Sequence, residues 1–350
     1  MRRYDGLLTI MAIASQSPLH PSVAIAIEFL LSLRMLSLDE GTPVLLVHDG
    51  PRVPRDDAAF PPPYIQYLGR LQERLPEAVA CTKLNVRLVL RATNGFMARN
   101  IAFGLQLVQT PYFLKAEMDH VFVRPFDLPG VVRDMSVDQR LKYVRFNRRA
   151  NFKRGCDTGI YLVGENEKGK AAGGTLFGAH APPEGVLLRH EYTRTPCFSD
   201  MNHVVSTAFF RAHFLPIMLA APELTPETAI HEGAHTASNH SFYGTFIFGG
   251  LGAPATLAHL DGSMHGFGEI LPGVRLWLRQ LYNGVRNGSL LARGAEPFEC
   301  RDPLFLEPAR ASRARADGMA QGSLNRHGLT RRYGQTRKQT RATRTRNITK

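Results

Sequence analysis

The sequence predicts an α/β fold: a mostly parallel central sheet, Rossmann-like, with helices on both faces. Three observations carry this. Continuous apolar runs of strand length stand at residues 6–14 and 42–48, and strands buried on both faces read this way. Between them, residues 22–36 carry apolar side chains at helical spacing. Two of the strand-like runs end in acids, Asp49-Gly50 and Glu117-Met118-Asp119, at the carboxyl end where open parallel sheets bind ligands.

Taken in order, residues 6–14 form the first strand. Ser15 to Pro21 is a loop. The helix over 22–36 presents Ile25, Ile27, Phe29, Leu30 and Leu33 on a broad apolar face, and Gly41 stops it. Residues 42–48 are the second strand. Residues 51–63 are proline-rich and read as a loop, and residues 64–75 as an amphipathic helix. The alternation of residues 84–90 predicts a third strand. Arg91 to Gly95 turns, residues 96–108 are helical, and Tyr112 to Leu114 opens a fourth strand. No GxGxxG or Walker glycine pattern accompanies these units, so neither a dinucleotide cofactor nor a P-loop is indicated.

Past residue 125 the pattern loosens. Short strands are expected at 142–147, 159–163, 242–248 and 256–260, and helices at 203–210, from 224 and at 276–285. We divide the chain into a catalytic domain, 1–308, with halves at 1–124 and 125–308, and a tail, 309–350. The tail holds 12 Lys and Arg between Arg310 and Lys350 against one acid, Asp317. It lacks apolar periodicity and is expected to be disordered. The formal net charge of +13 therefore belongs almost wholly to the tail, and the globular part is nearly balanced.

Cys81, Cys156, Cys197 and Cys300 show neither metal-ligand nor disulfide-framework spacing, so free thiols in a reducing compartment, hence a cytoplasmic protein, are the simplest expectation, with one or two bridges left open beside it. No apolar run is long enough to span a membrane. Met1-Arg2-Arg3 before an apolar run mimics a signal peptide. Asp5 and the continuing βα pattern favour a first strand instead.

The chemistry centres on residues 117–119. On a continuing strand, Glu117 and Asp119 would point the same way. Two adjacent carboxylates need a cation between them, and a hard divalent ion carrying phosphates meets that need. Asp49 at the end of the second strand is placed to accept hydrogen bonds from a ribose or base. Arg145, Arg148, Arg149, Lys153 and Arg154 form a basic stretch.

In content and order these stretches resemble GT-A type nucleotide-sugar glycosyltransferases of the broad family-2-like kind. The likeness covers residues 6 to 270 or so. In that fold a D-x-D motif closes the fourth strand, where this chain has Glu117-Met118-Asp119; Glu stands where the motif has Asp. The resemblance implies a hexosyltransferase moving a sugar from a nucleotide-diphosphate donor to a glycan, protein or lipid acceptor. It implies Mn²⁺ or Mg²⁺ held by Asp119 and Glu117, with His259 completing the set and His265 as second choice. Asp49 would contact the nucleoside, and Arg148, Lys153 or Arg154 the leaving diphosphate. Ser199-Asp200-Met201-Asn202-His203 looks like the Ser-Asp-Asn-Pro-His segment of such enzymes, making Asp200 the candidate general base and Asp157 its rival.

Two other readings stand beside this one. His231-Glu232-Gly233-Ala234-His235 matches HExxH, the signature of zinc proteases, although Gly233 weakens the helix that motif needs. The Arg-rich tail suits nucleic acid or another acidic partner.

Overall fold

The computed structural model describes residues 6–15, 22–50, 62–148, 150–151, 178–195, 198–234, 239–260 and 300. The expected α/β class holds. Nine described strands form one sheet in the order β3-β2-β1-β4-β9-β6-β10-β8-β7. They are β1 (Leu8–Ala14), β2 (Pro43–His48), β3 (Asn85–Leu90), β4 (Tyr112–Glu117), β6 (Tyr143–Arg145), β7 (Gly178–Ala179), β8 (Tyr192–Arg194), β9 (His203–Ser206) and β10 (Thr245–Phe248). The first four pair in parallel. β9 is antiparallel to both β4 and β6, so β6 runs the same way as β4, and β10 pairs in parallel with β6. A second, two-stranded sheet pairs β5 (His120–Phe122) antiparallel with β11 (Leu257–His259).

Alternation along β1 splits the core. Leu8, Ile10 and Ala12 face one side with α1 (Ala24–Ser32), α2 (Pro62–Thr82) and α4 (Leu128–Val137). Met11 and Ile13 face the other, with α3 (Phe96–Leu105) and the helical segments Thr207–Phe209, Leu215–Ala220 and Pro226–Ala234. Period-two strands buried on both faces require this two-sided cover.

Several boundaries differ from expectation. α2 runs through Pro76 to Thr82. Residues 203–206 are strand, not helix: Val204 and Val205 pair between β4 and β6, and the helix begins at Thr207, where the Ser206 hydroxyl accepts the Phe209 amide. Phe242 and Tyr243 lie in the short helix His240–Tyr243, which ends at Gly244 with φ +54, so β10 starts only at Thr245. Cys81 and Cys300 form a disulfide across 219 residues of sequence, which overturns the free-thiol expectation for this pair; so wide a separation leaves no local signal. Cys156 and Cys197 lie outside the described residues, as do the expected elements at 159–163 and 276–285 and the tail. Among the described residues no helix is long and apolar enough to cross a membrane.

Candidate active site

Because β1, β2, β4, β6 and β10 run the same way, their carboxyl ends share one edge. His48, Glu117 and Arg145 close their strands there, and the residues before β9 enter at the same edge. Glu117 ends β4, but the chain turns at Met118 and Asp119 before β5 begins. The two carboxylates therefore do not share a strand face. Asn202 fixes this turn: its Oδ1 accepts the Glu117 amide at 2.9 Å and its Nδ2 donates to the His120 carbonyl at 3.0 Å.

Asp119 faces the β5–β11 pair. Its Oδ2 lies 3.3 Å from His259 Nε2 and its Oδ1 3.4 Å from His120 Nδ1. His120 and His259 are opposite one another in the β5–β11 register, and their rings stack 4.1 Å apart and 1° from parallel. One ligand atom from each of Asp119, His120 and His259 falls within 4.8 Å of the other two. His120 had no standing in the sequence: its pairing with His259 is set by two strands far apart along the chain. Burial opposes charge on Asp119, but hydrogen bonds from His120 and His259 outweigh it and hold the carboxyl well below its ordinary range. Burial would likewise lower the His120 pKa; its contacts with Asp119 and Glu117 raise it to about 9 instead.

Glu117 is turned to the buried Lys115, whose Nζ lies 2.7 Å from Oε1 and also donates to the Asp200 carbonyl. Its Oε2 sits 3.0 Å from His120 Nδ1. Against the cost of burial, Lys115 and the His120 hydrogen bond bring its pKa to about 2. Asp200 behaves in the opposite sense: burial and the Glu117 charge push its carboxyl up to about 6.

Asp49 is buried at the end of β2. Its Oδ1 accepts the amides of Gly50 and Gly95, each at 3.0 Å, and lies 3.4 Å from Arg91 Nη1. It thus ties the β2 exit to the turn before α3. Gly50 permits the approach, since a Cβ there would collide with the Thr93 backbone. Arg148 reaches the site through a long contact, 3.5 Å from Nη1 to His259 Nδ1. Asp157, Lys153, Arg154 and His265 lie outside the described residues. So does His235, one half of the HExxH histidine pair; His231 sits in the helix Pro226–Ala234 on the other side of the sheet from α1 and α2, where burial lowers its pKa.

No family model and no curated protein matches the chain. Among solved structures, the Staphylococcus aureus TarS structure aligns at 12% identity and TM-score 0.40, covering 80% of this chain and 43% of that one. TarS 1–349 in complex with UDP-GlcNAc aligns at 13% identity and TM-score 0.40, covering 80% and 72%. A putative glucose-1-phosphate thymidylyltransferase from Bacillus anthracis aligns at 8% and 0.40, covering 78% and 95%. The chain thus spans less than half the length of the full TarS structure. At these scores the likeness carries no weight for function.

Proposed function

We propose that the protein is a metal-dependent glycosyltransferase using a nucleotide-diphosphate sugar. One observation carries the reading: Asp119, His120 and His259 converge at the carboxyl edge of the parallel strands, with Arg148 beside them. Two imidazoles and a carboxylate suit Mn²⁺ better than Mg²⁺, which favours oxygen ligands and keeps its waters. His120 fits as a ligand through Nε2, which is buried without a hydrogen-bond partner, while its Nδ1 lies against Glu117 Oε2. Glu117, committed to Lys115, orients His120 rather than binding the ion itself. When bound, the ion supplies Lewis-acid stabilisation of charge on the diphosphate.

The chain's own residues carry the remaining roles. Asp49 shapes the 91–95 turn at the nucleoside end. Arg148 offsets phosphate charge. Asp200 accepts the proton of the acceptor hydroxyl as its oxygen bonds to the anomeric carbon; the bond from that carbon to the diphosphate oxygen breaks, and its electron pair leaves with the nucleotide. A carboxyl near 6 is well matched to this work at neutral pH.

The test is a thermal-shift series with UDP-, GDP- and CDP-sugars, with and without Mn²⁺. A ligand that binds the folded state raises the midpoint with the logarithm of its concentration. One sugar nucleotide should do so only with Mn²⁺ present, and not in Asp119→Ala. No response to any of the three would refute the reading.

A further inference from the structure

Residues 199–202 are irregular backbone leading into β9 at the carboxyl edge of the sheet. Ser199, Met201 and Asn202 are buried. Buried backbone outside helices and ladders must find other partners for its peptide groups. Here all four carbonyls are taken. The Tyr143 hydroxyl donates to the Ser199 carbonyl and the Lys115 ammonium to that of Asp200. His203 Nδ1 holds the Met201 carbonyl at 2.7 Å, and the Phe146 amide that of Asn202 at 2.9 Å.

Two of these carbonyls belong to the peptide units on either side of the Asp200 Cα. Tyr143 grips the unit that enters Asp200 and Lys115 the unit that leaves it. With both units fixed, so is the direction in which the Asp200 side chain departs. Tyr143 holds the chain at a second point, because its oxygen also accepts the Ser199 amide at 3.2 Å. Its ring is itself enclosed, with Phe198, His203 and Phe214 centred 5.0, 4.6 and 6.2 Å away.

We propose that Tyr143 is a positioning residue that aims the Asp200 carboxyl through the Ser199 peptide. This rests on the reading of Asp200 as the general base. A strand extended back through residues 199–202 would satisfy the same groups by ladder bonds. It would need neither a buried phenol nor a buried ammonium, and departures of this kind from local rules gather at functional sites. Asn202 ties the same stretch to the turn between β4 and β5, so the base and the candidate metal pocket sit in one frame.

The experiment is hydrolysis of UDP-, GDP- and CDP-glucose with Mn²⁺, in which water is the acceptor. Its oxygen bonds to the anomeric carbon, its proton passes to Asp200, and the nucleotide leaves with the electron pair of the broken bond. Tyr143→Phe should lower kcat about 10–100-fold, the scale of a small misplacement of a catalytic group. KM for the nucleotide sugar and Mn²⁺ affinity in isothermal titration should not change. Asp200→Asn should be slower still. The double variant should be no slower than Asp200→Asn, since a group that only aims the base then has nothing to aim. Deuterium exchange over residues 198–203 should quicken in Tyr143→Phe, and exchange over β1 should not.

A full kcat in Tyr143→Phe, losses that multiply in the double variant, or unchanged exchange over 198–203 would each overturn the proposal. Should Tyr143→Phe not fold, 3,5-difluorotyrosine at residue 143 keeps the ring and alters only the hydroxyl. It should change kcat with Asp200 present and not in Asp200→Asn; equal changes in both would sink the idea. Loss in Asp200→Asn without loss in Tyr143→Phe removes this inference alone. Full activity of Asp200→Asn removes the base assignment with it, and no hydrolysis of any of the three sugars by the wild type removes the transferase reading as well.

Discussion

The imidazole rings of His120 and His259 stack 4.1 Å apart because their backbones are register partners in the β5–β11 pair. This two-stranded sheet carries both rings to Asp119. A strand pair is stiffer than a loop, so the ligand set is held before an ion arrives.

Asp119→Ala and Glu117→Gln should separate the two acids. Isothermal titration with Mn²⁺ should show no measurable binding for Asp119→Ala. Glu117→Gln removes the carboxylate charge behind His120 and beside Lys115 and should weaken binding about 10–100-fold, the usual cost of losing an outer-shell partner. Equal losses would return Glu117 to the ligand set.

Lys115 is enclosed and bonded to both Glu117 and the Asp200 carbonyl. Lys115→Met takes from Glu117 its nearest cation, leaving only His120 beside the carboxylate, and should cost about 3 kcal/mol in urea denaturation. The double variant Lys115→Met/Glu117→Gln should recover part of that loss. A single variant with unchanged stability would show that the pair does not hold the β4 terminus.

The Cys81–Cys300 disulfide ties the end of α2 to residue 300. Closing so long a loop restricts the unfolded chain, and reduction should lower stability by about 2–5 kcal/mol. Peptide mapping without reductant should recover the linked pair. A melt indifferent to reductant, with both thiols alkylated, would overturn this.

The parallel half of the sheet was legible because strands buried on both faces leave long apolar runs, as in Leu8–Ala14 and Pro43–His48, while Tyr112 to Leu114 marks the opening of β4. The antiparallel strand His203–Ser206 was not. Its Val-Val core is too short to show a period, and its state is decided by β4 and β6 on either side. The acids at strand ends stood out by composition. The roles of Lys115, Asn202 and His120 did not, since each depends on partners that the fold brings from elsewhere in the chain.

Glu227 gives the fold a pH signature. Burial, followed by the Asp200 charge, pushes its carboxyl in the helix Pro226–Ala234 up to about 7 from an ordinary value of 4.5. Between those limits the folded state binds the proton more tightly than the unfolded chain, so stability falls as pH rises. Below 4.5 both states are protonated and the effect vanishes; above 7 the full penalty applies, about 3 kcal/mol at most. Glu227→Gln cannot ionise. It should therefore gain on the wild type progressively from pH 5 to 8 in chemical denaturation, with the two nearly equal near pH 4.5. Parallel pH profiles would mean that Glu227 is ionised in the folded state like any surface acid.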